Sequence, residues 1–341
     1  MLLITALLLT SAWAEATALK IFHARNWGLE DRAISIERAW KLTEGSRNVI
    51  VAVIDTGIDA THPDLKPNLW KSPGSLGTPG SGAVYGWDFV THAPNPSDHH
   101  GHGTHIAGII GAVANPKTGT SGVSRSVQIM PVRYYSETAP GSVNLANTIK
   151  ALHYAIDNGA KIINYSGGGP EYSEEEFQAM KKAEERGVLI VAAAGNDRHN
   201  TDVEEHRYYP AAYGLKGLRN IITVASMNSE NHILPSSNWG VRSVDVAAPG
   251  EGILSTIPGG RYGRMTGTSQ ATAFVSGIAA LILSKSPELS PSQVKGLIMN
   301  NTTPIASLRG KVASGGKVDA FRAITALEGS RGIYRKTASK K

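Results

Sequence analysis

Asn48-Val-Ile-Val-Ala-Val-Ile-Asp55-Thr-Gly-Ile-Asp59 decides the reading of the fold. Six apolar residues run from Val49 to Ile54 without polar alternation. A strand of this kind has both faces buried, which is the mark of the interior of a parallel sheet. It ends in a carboxylate, with Gly57 two residues on. Outward from it, apolar runs alternate with helical periods. Val127–Val132, Lys161–Tyr165, Val188–Ala194 and Asn220–Ala225 read as further strands. Helices are expected over Gly103–Val113, Asn144–Asn158, Ser173–Arg186, Ser269–Ser284, from Pro291 onward and over Lys317–Leu327. Ser173 and Glu176 have the spacing of a capping box, and Ser290-Pro291 supplies an N-cap with proline in the first turn. This alternation implies an α/β fold of three layers, α/β/α, with a mainly parallel central sheet. Sites in such sheets form at the carboxyl ends of the strands.

The 341 residues suit one large α/β domain, and 41% hydrophobic with 18% charged residues supports a buried core. There is no cysteine, so disulfides, thiolate catalysis and cysteine-ligated zinc are excluded. The net charge is +6, but part of the excess lies in residues 331–341, which read as a solvated basic tail. No basic run is interleaved with aromatics, so nucleic acid is not an expected partner. The first ten residues are apolar but too few to span a bilayer, and Ala12-Trp-Ala14 suits a signal peptidase. Residues 1–14 are therefore expected to be a signal peptide, with cleavage after Ala18 as the alternative, and the protein to be exported to the cell envelope, periplasm or medium. No later segment is apolar and long enough to cross a membrane, and a monomer is expected.

Three segments carry chemistry. Asp55 closes the apolar strand, where a charge is costly unless paired; such an acid can hold an imidazole in one tautomer. In Asp98-His-His-Gly-His102-Gly-Thr-His105-Ile-Ala-Gly108, His102 opens a glycine-rich helix. In Gly263-Arg-Met-Thr-Gly267-Thr268-Ser269-Gln270-Ala271-Thr272, Ser269 stands at a helix start, where free N–H groups favour negative charge. Taken alone, Asp55 reads as a turn-capping aspartate and Ser269 as an N-cap serine, while a metal site at the histidines is disfavoured by the absence of a His-Glu-x-x-His helix and of cysteine. His105 reads as a buried structural histidine, and His99 and His100 as exposed ones.

Together the three resemble the subtilisin family, in the order Asp, His, Ser. Thr61-His-Pro-Asp-Leu65, Gly122-Val123, Ile163-Asn-Tyr-Ser166, Ala193-Ala-Gly-Asn196 and Val244-Asp-Val-Ala-Ala-Pro-Gly250 extend the likeness over most of the chain. The resemblance implies a subtilisin-like peptidase domain over 20–330 that hydrolyses protein or peptide substrates through an acyl-enzyme. It implies Asp55, His102 and Ser269 as the triad, with Asn196 and the Ser269 N–H as oxyanion donors. It also implies Ser166, Gly167 and Gly168 as the edge that pairs with substrate, and Ala193 and Ala194 as one wall of the first specificity pocket. Gly167 stands where the family usually has leucine, so a more open groove is expected. Tyr208 aligns near the pocket floor, and Asp197, Glu204 and Glu205 are candidates for attracting basic side chains. Ala273 and Phe274 replace the usual Pro-His pair, which implies repacking at the base of the helix. The chemistry needs no cofactor. A structural Ca²⁺ held by Asp64, Val113, Asn115, Thr118 and Thr120 is implied by the family's calcium loop. The alternative is a catalytically silent domain of the same fold that binds peptides. A lipase is disfavoured by the absence of a Gly-x-Ser-x-Gly elbow, and an NTP-binding protein by the absence of a phosphate loop.

Overall fold

The computed structural model describes residues 26–73, 84–115 and 120–327. The expected signal peptide, the basic tail over 331–341 and Thr118 lie outside the described residues.

Strand β1, Gly45–Asp55, is flanked by β4, Ser126–Arg133, and β5, Ile162–Tyr165, both parallel to it. Outward on one side lie β6 (Leu189–Ala193), β7 (Ile221–Met227) and β8 (Val246–Pro249), then β12 (Gly316–Lys317) and β11 (Thr303–Pro304). On the other side lie β2 (Trp87–Asp88) and β3 (Ala93–Pro94), completing a ten-stranded sheet. Among the described residues of this sheet, only the β2–β3 and β11–β12 pairs are antiparallel, one at each edge.

The apolar run at the centre works in both directions. Val51 and Val53 enter one core, while Ala52 and Ile54 enter the other. Side chains alternate across a strand, so each central strand serves two layers. The first layer holds helices α1 (His102–Gly111), α4 (Thr268–Lys285) and α5 (Pro291–Asn300). The second holds α2 (Gly141–Asp157) and α3 (Glu174–Glu185). A final helix, α6, covers 320–327. Helix α4 is buried on every side from Thr268 to Leu283. Its polar residues are satisfied inside: Ser276 Oγ donates to Asn164 Oδ1 at 2.8 Å, and Thr272 Oγ1 to the Thr268 carbonyl at 2.8 Å. Close packing of α4 requires Gly277, where a Cβ would lie 2.5 Å from the Val123 side chain.

Two local expectations are corrected. The last helix begins at 320 rather than Lys317, because Gly316–Lys317 is drawn into the sheet edge, with Lys317 opposite Ala247. The Ser173–Glu176 capping box is only half made. Ser173 Oγ accepts from Glu176 N–H at 3.2 Å, but the Ser173 N–H goes to Tyr213 Oη at 3.2 Å. The box at Ser290 and Gln293 is complete.

Candidate active site

Asp55 sits at the carboxyl end of the central strand and is 4% exposed. Its Oδ1 accepts from Thr56 N–H at 2.7 Å and lies 2.7 Å from His102 Nδ1. Two glycines allow this approach. Gly57 has φ +105°, and a Cβ there would lie 2.6 Å from the Ser97 carbonyl oxygen. A Cβ on Gly103 would lie 2.1 Å from the Gly57 carbonyl oxygen. The start of α1 can therefore rest directly on the strand end.

Asp98 braces this arrangement from behind. Its Oδ1 accepts from the N–H groups of His100 and Gly101 and from Thr56 Oγ1, at 3.0, 2.8 and 2.9 Å. Its Oδ2 accepts from the N–H and hydroxyl of Thr104, at 2.9 and 2.6 Å. Thr56 Oγ1 in turn accepts from Gly103 N–H at 2.9 Å. The one local sign of this role is the position of Asp98 four residues before His102, just ahead of a helix start.

Burial pulls the His102 pKa down, but the Asp55 charge, the hydrogen bond to Asp55 and the Asp98 charge together hold it above 6.5. With Nδ1–H donated to Asp55, the neutral ring presents the Nε2 lone pair on its far side. His105 behaves differently. It is fully buried, its Nε2 lies 3.0 Å from the Ile253 carbonyl and 3.2 Å from that of Gly263, and burial lowers its pKa to about 4. It is a neutral core residue tying α1 to the hairpin of β9 (Ile253–Ile257) and β10 (Arg261–Met265). His99 and His100 are exposed, and His100 Nε2 lies 3.1 Å from Glu137.

Ser269 occupies the first turn of α4 and is 8% exposed. Its hydroxyl donates to the Ser166 carbonyl at 3.0 Å, which ties the helix start to the chain leaving β5. Asn196 follows β6 and is exposed. Its Oδ1 accepts from Thr268 N–H at 3.0 Å and Thr268 Oγ1 at 3.2 Å. A backbone N–H can only donate, so it fixes the amide orientation and turns Nδ2 outward as a donor. Among the described residues no acceptor claims Nδ2, the Ser269 N–H or the Gln270 N–H.

The chain leaving β5 forms the edge Ser166-Gly167-Gly168. Just beyond it, Gly169 and Tyr209 exchange backbone hydrogen bonds of 2.9 and 2.8 Å. The expected opening at Gly167 is absent. A Cβ there would lie 2.0 Å from Tyr134 Oη, so a tyrosine fills the space a longer side chain would take. The Tyr208 ring packs against both Gly168 and Gly195. Ala193 and Ala194 are buried at the end of β6, and the Ala194 carbonyl accepts from Asn238 Nδ2 at 2.9 Å. Glu204 is matched by Arg207 at 3.0 Å, and Asp197 accepts from Asn238 Nδ2 at 3.2 Å. Phe274 is fully buried against Gly28, where a Cβ would lie 2.4 Å from its Cζ.

Among the described residues of the expected calcium set, the side chains hydrogen-bond one another. Asp64 Oδ1 accepts from Asn115 Nδ2 at 2.8 Å, so Asn115 turns its nitrogen, not its oxygen, toward the carboxylate. Asp64 Oδ2 accepts from Thr120 Oγ1 at 2.9 Å and Tyr262 Oη at 2.7 Å, and Val113 N–H donates to the Asp64 carbonyl at 2.8 Å. A calcium shell needs oxygens converging on one point. Among the described residues Asp64 accepts from both loop side chains, and Tyr262, a partner absent from the expectation, joins them.

No helix among the described residues is long and apolar enough to cross a membrane. The profile of the subtilase family matches residues 46–323. Thermitase of Thermoactinomyces vulgaris is 36% identical over 304 residues, covering 89% of this chain and 97% of that protein. The thermophilic serine proteinase of Bacillus sp. strain AK1 is 36% identical over 287 residues; the match covers 84% of this chain and 64% of that protein. The major intracellular serine protease of Bacillus subtilis is 35% identical over 279 residues, 80% of this chain and 82% of that protein. With a matching profile over most of its length and relatives at this identity, the chain belongs to the subtilase family.

Proposed function

We propose that this serine endopeptidase cleaves peptide bonds with Ser269 as nucleophile, His102 as general base and acid, and Asp55 as the group that orients His102. The observation that carries this is the 2.7 Å contact of His102 Nδ1 with Asp55 at the end of the central strand. It fixes the tautomer that leaves Nε2 free to take a proton.

Before attack the Ser269 hydroxyl turns from the Ser166 carbonyl toward His102 Nε2. Its Oγ then bonds to the substrate carbonyl carbon as its proton passes to Nε2. Asn196 Nδ2 and the Ser269 N–H donate to the resulting oxyanion. His102 returns the proton to the leaving amine, and water repeats the sequence on the acyl-enzyme. Ser166-Gly167-Gly168 pairs with the extended substrate backbone, and Ala193 and Ala194 back the first side-chain pocket. Calcium has no part in this scheme. Export rests on the N-terminal sequence; two relatives are named intracellular proteases, so names alone do not decide location.

Casein cleavage by wild type and Ser269→Ala, each with and without a serine-directed covalent inhibitor, tests the assignment. Loss of cleavage in both the variant and the inhibited sample is expected. Failure of the folded wild type to cleave while still binding peptide would favour a catalytically silent peptide-binding domain.

A further inference from the structure

A cavity of about 480 Å³ opens beyond the glycine edge, between the chain at Gly168–Gly169 and the start of α2. Its walls include Tyr134, Tyr135, Tyr165 and Tyr209, and Glu176 reaches into it from α3. Glu176 is 3% exposed. Its Oε1 accepts from Tyr165 Oη and its Oε2 from Tyr213 Oη, both at 2.9 Å. Each carboxylate oxygen can accept a second hydrogen bond, so both keep accepting capacity.

The charge balance of this cavity is one-sided. Among the described residues its lining contains two carboxylates, Glu176 inside and the exposed Glu171, and no lysine, arginine or histidine. Two tyrosine hydroxyls lower the Glu176 pKa, yet burial outweighs them and pushes it up. A buried carboxylate without a cation is costly, and the Ser-x-x-Glu spacing would let this one fold back on the helix start. Glu176 forgoes that contact, since the Ser173 N–H is given to Tyr213 instead. Tyrosine rings around a carboxylate make the environment in which an alkylammonium or guanidinium is held, by charge and by ring faces together.

The geometry points to this cavity as a pocket for a lysine or arginine side chain of the substrate, with Glu176 as its counter-charge. The inference rests on Ser166–Gly168 being the substrate edge. Gly169 lies three residues beyond Ser166. At about 3.3 Å per residue, a peptide paired with this edge brings its basic residue alongside the pocket about three positions from the cleaved bond. The acids at Asp197 and Glu204 are poorer candidates, being held by Asn238 and Arg207.

The test uses one peptide series in which lysine, arginine, norleucine and glutamate are placed in turn at each of the four positions on either side of the cleaved bond. Cleavage is measured as kcat/KM with wild type and Glu176→Gln. Equilibrium binding is measured with Ser269→Ala and with Ser269→Ala carrying Glu176→Gln. The ratio of lysine to norleucine within each protein cancels any general loss of folded or active material. At one position the ratio is expected to be about tenfold or more with Glu176, in binding and in cleavage, and to fall close to one with glutamine. A ratio near one with Glu176 present, or a preference that survives Glu176→Gln, overturns the inference. Absence of cleavage with the binding preference intact would refute the catalytic assignment and leave the pocket standing.

Discussion

The two helix starts that carry His102 and Ser269 are finished in opposite ways. At α1, side chains claim the N–H groups: Asp98 takes those of His100, Gly101 and Thr104, and Thr56 takes that of Gly103. At α4, Asn196 takes only the Thr268 N–H, and the next two point into unclaimed space among the described residues. A helix N-terminus carries about half a positive charge. At α1 a resident carboxylate uses it, and the helix serves to hold His102 still. At α4 it is left open, which suits a charge that exists only while the substrate is reacting. On the proposed mechanism, the capped helix end positions and the uncapped one stabilises.

Perturbing the open end should cost the most activity. Ser269→Ala is expected to lower kcat by about a thousandfold or more with little change in KM, read from steady-state peptide cleavage. Asn196→Ala removes the donor beside it. The expected fall in kcat is roughly 10²–10³-fold, the loss measured for the equivalent donor in a subtilisin. A comparable rise in KM with kcat preserved would show that Asn196 binds ground-state substrate instead.

Changes at the capped end should act through position and charge. Gly103→Ala forces a Cβ against the Gly57 carbonyl, 2.1 Å away where nothing gives freely. A loss of about 1–3 kcal/mol in urea unfolding is expected, with activity per folded molecule also reduced because His102 moves. The smallest effect concerns pH. Only the neutral His102 ring can take the Ser269 proton, and its pKa is raised above 6.5. Activity should therefore fall as pH drops through a midpoint above that value. Asp98→Asn removes one of the charges raising it, so the acid limb of kcat/KM should move to lower pH. Movement to higher pH, or none, would remove Asp98 from this role.

What the sequence made legible follows from how local the signals are. The central strand is apolar on both faces because two layers cover it, and that run is visible without any partner. Asp55, His102 and Ser269 each stand at an element boundary with glycine nearby, so their placement shows in a few neighbouring residues. Glu176 was hidden because Ser-x-x-Glu has a sufficient local explanation as a cap; only the tertiary approach of Tyr165 and Tyr213 reveals its other use. Tyr134 filling the space at Gly167 joins residues 33 positions apart and leaves no local trace. The Asp64 cluster is hard to read for a related reason. Oxygen-bearing residues at loop spacing read as ligands, but whether an asparagine offers oxygen or nitrogen is decided by its neighbours in space.

The central claim is that Ser269 is the nucleophile at an open helix end. The most direct measurement is intact mass followed by peptide mapping, after treating the folded protein with a serine-directed organophosphorus inhibitor. A single adduct on Ser269, formed in step with loss of cleavage, is the predicted result. An adduct on another residue, or full cleavage with Ser269 modified, would contradict it.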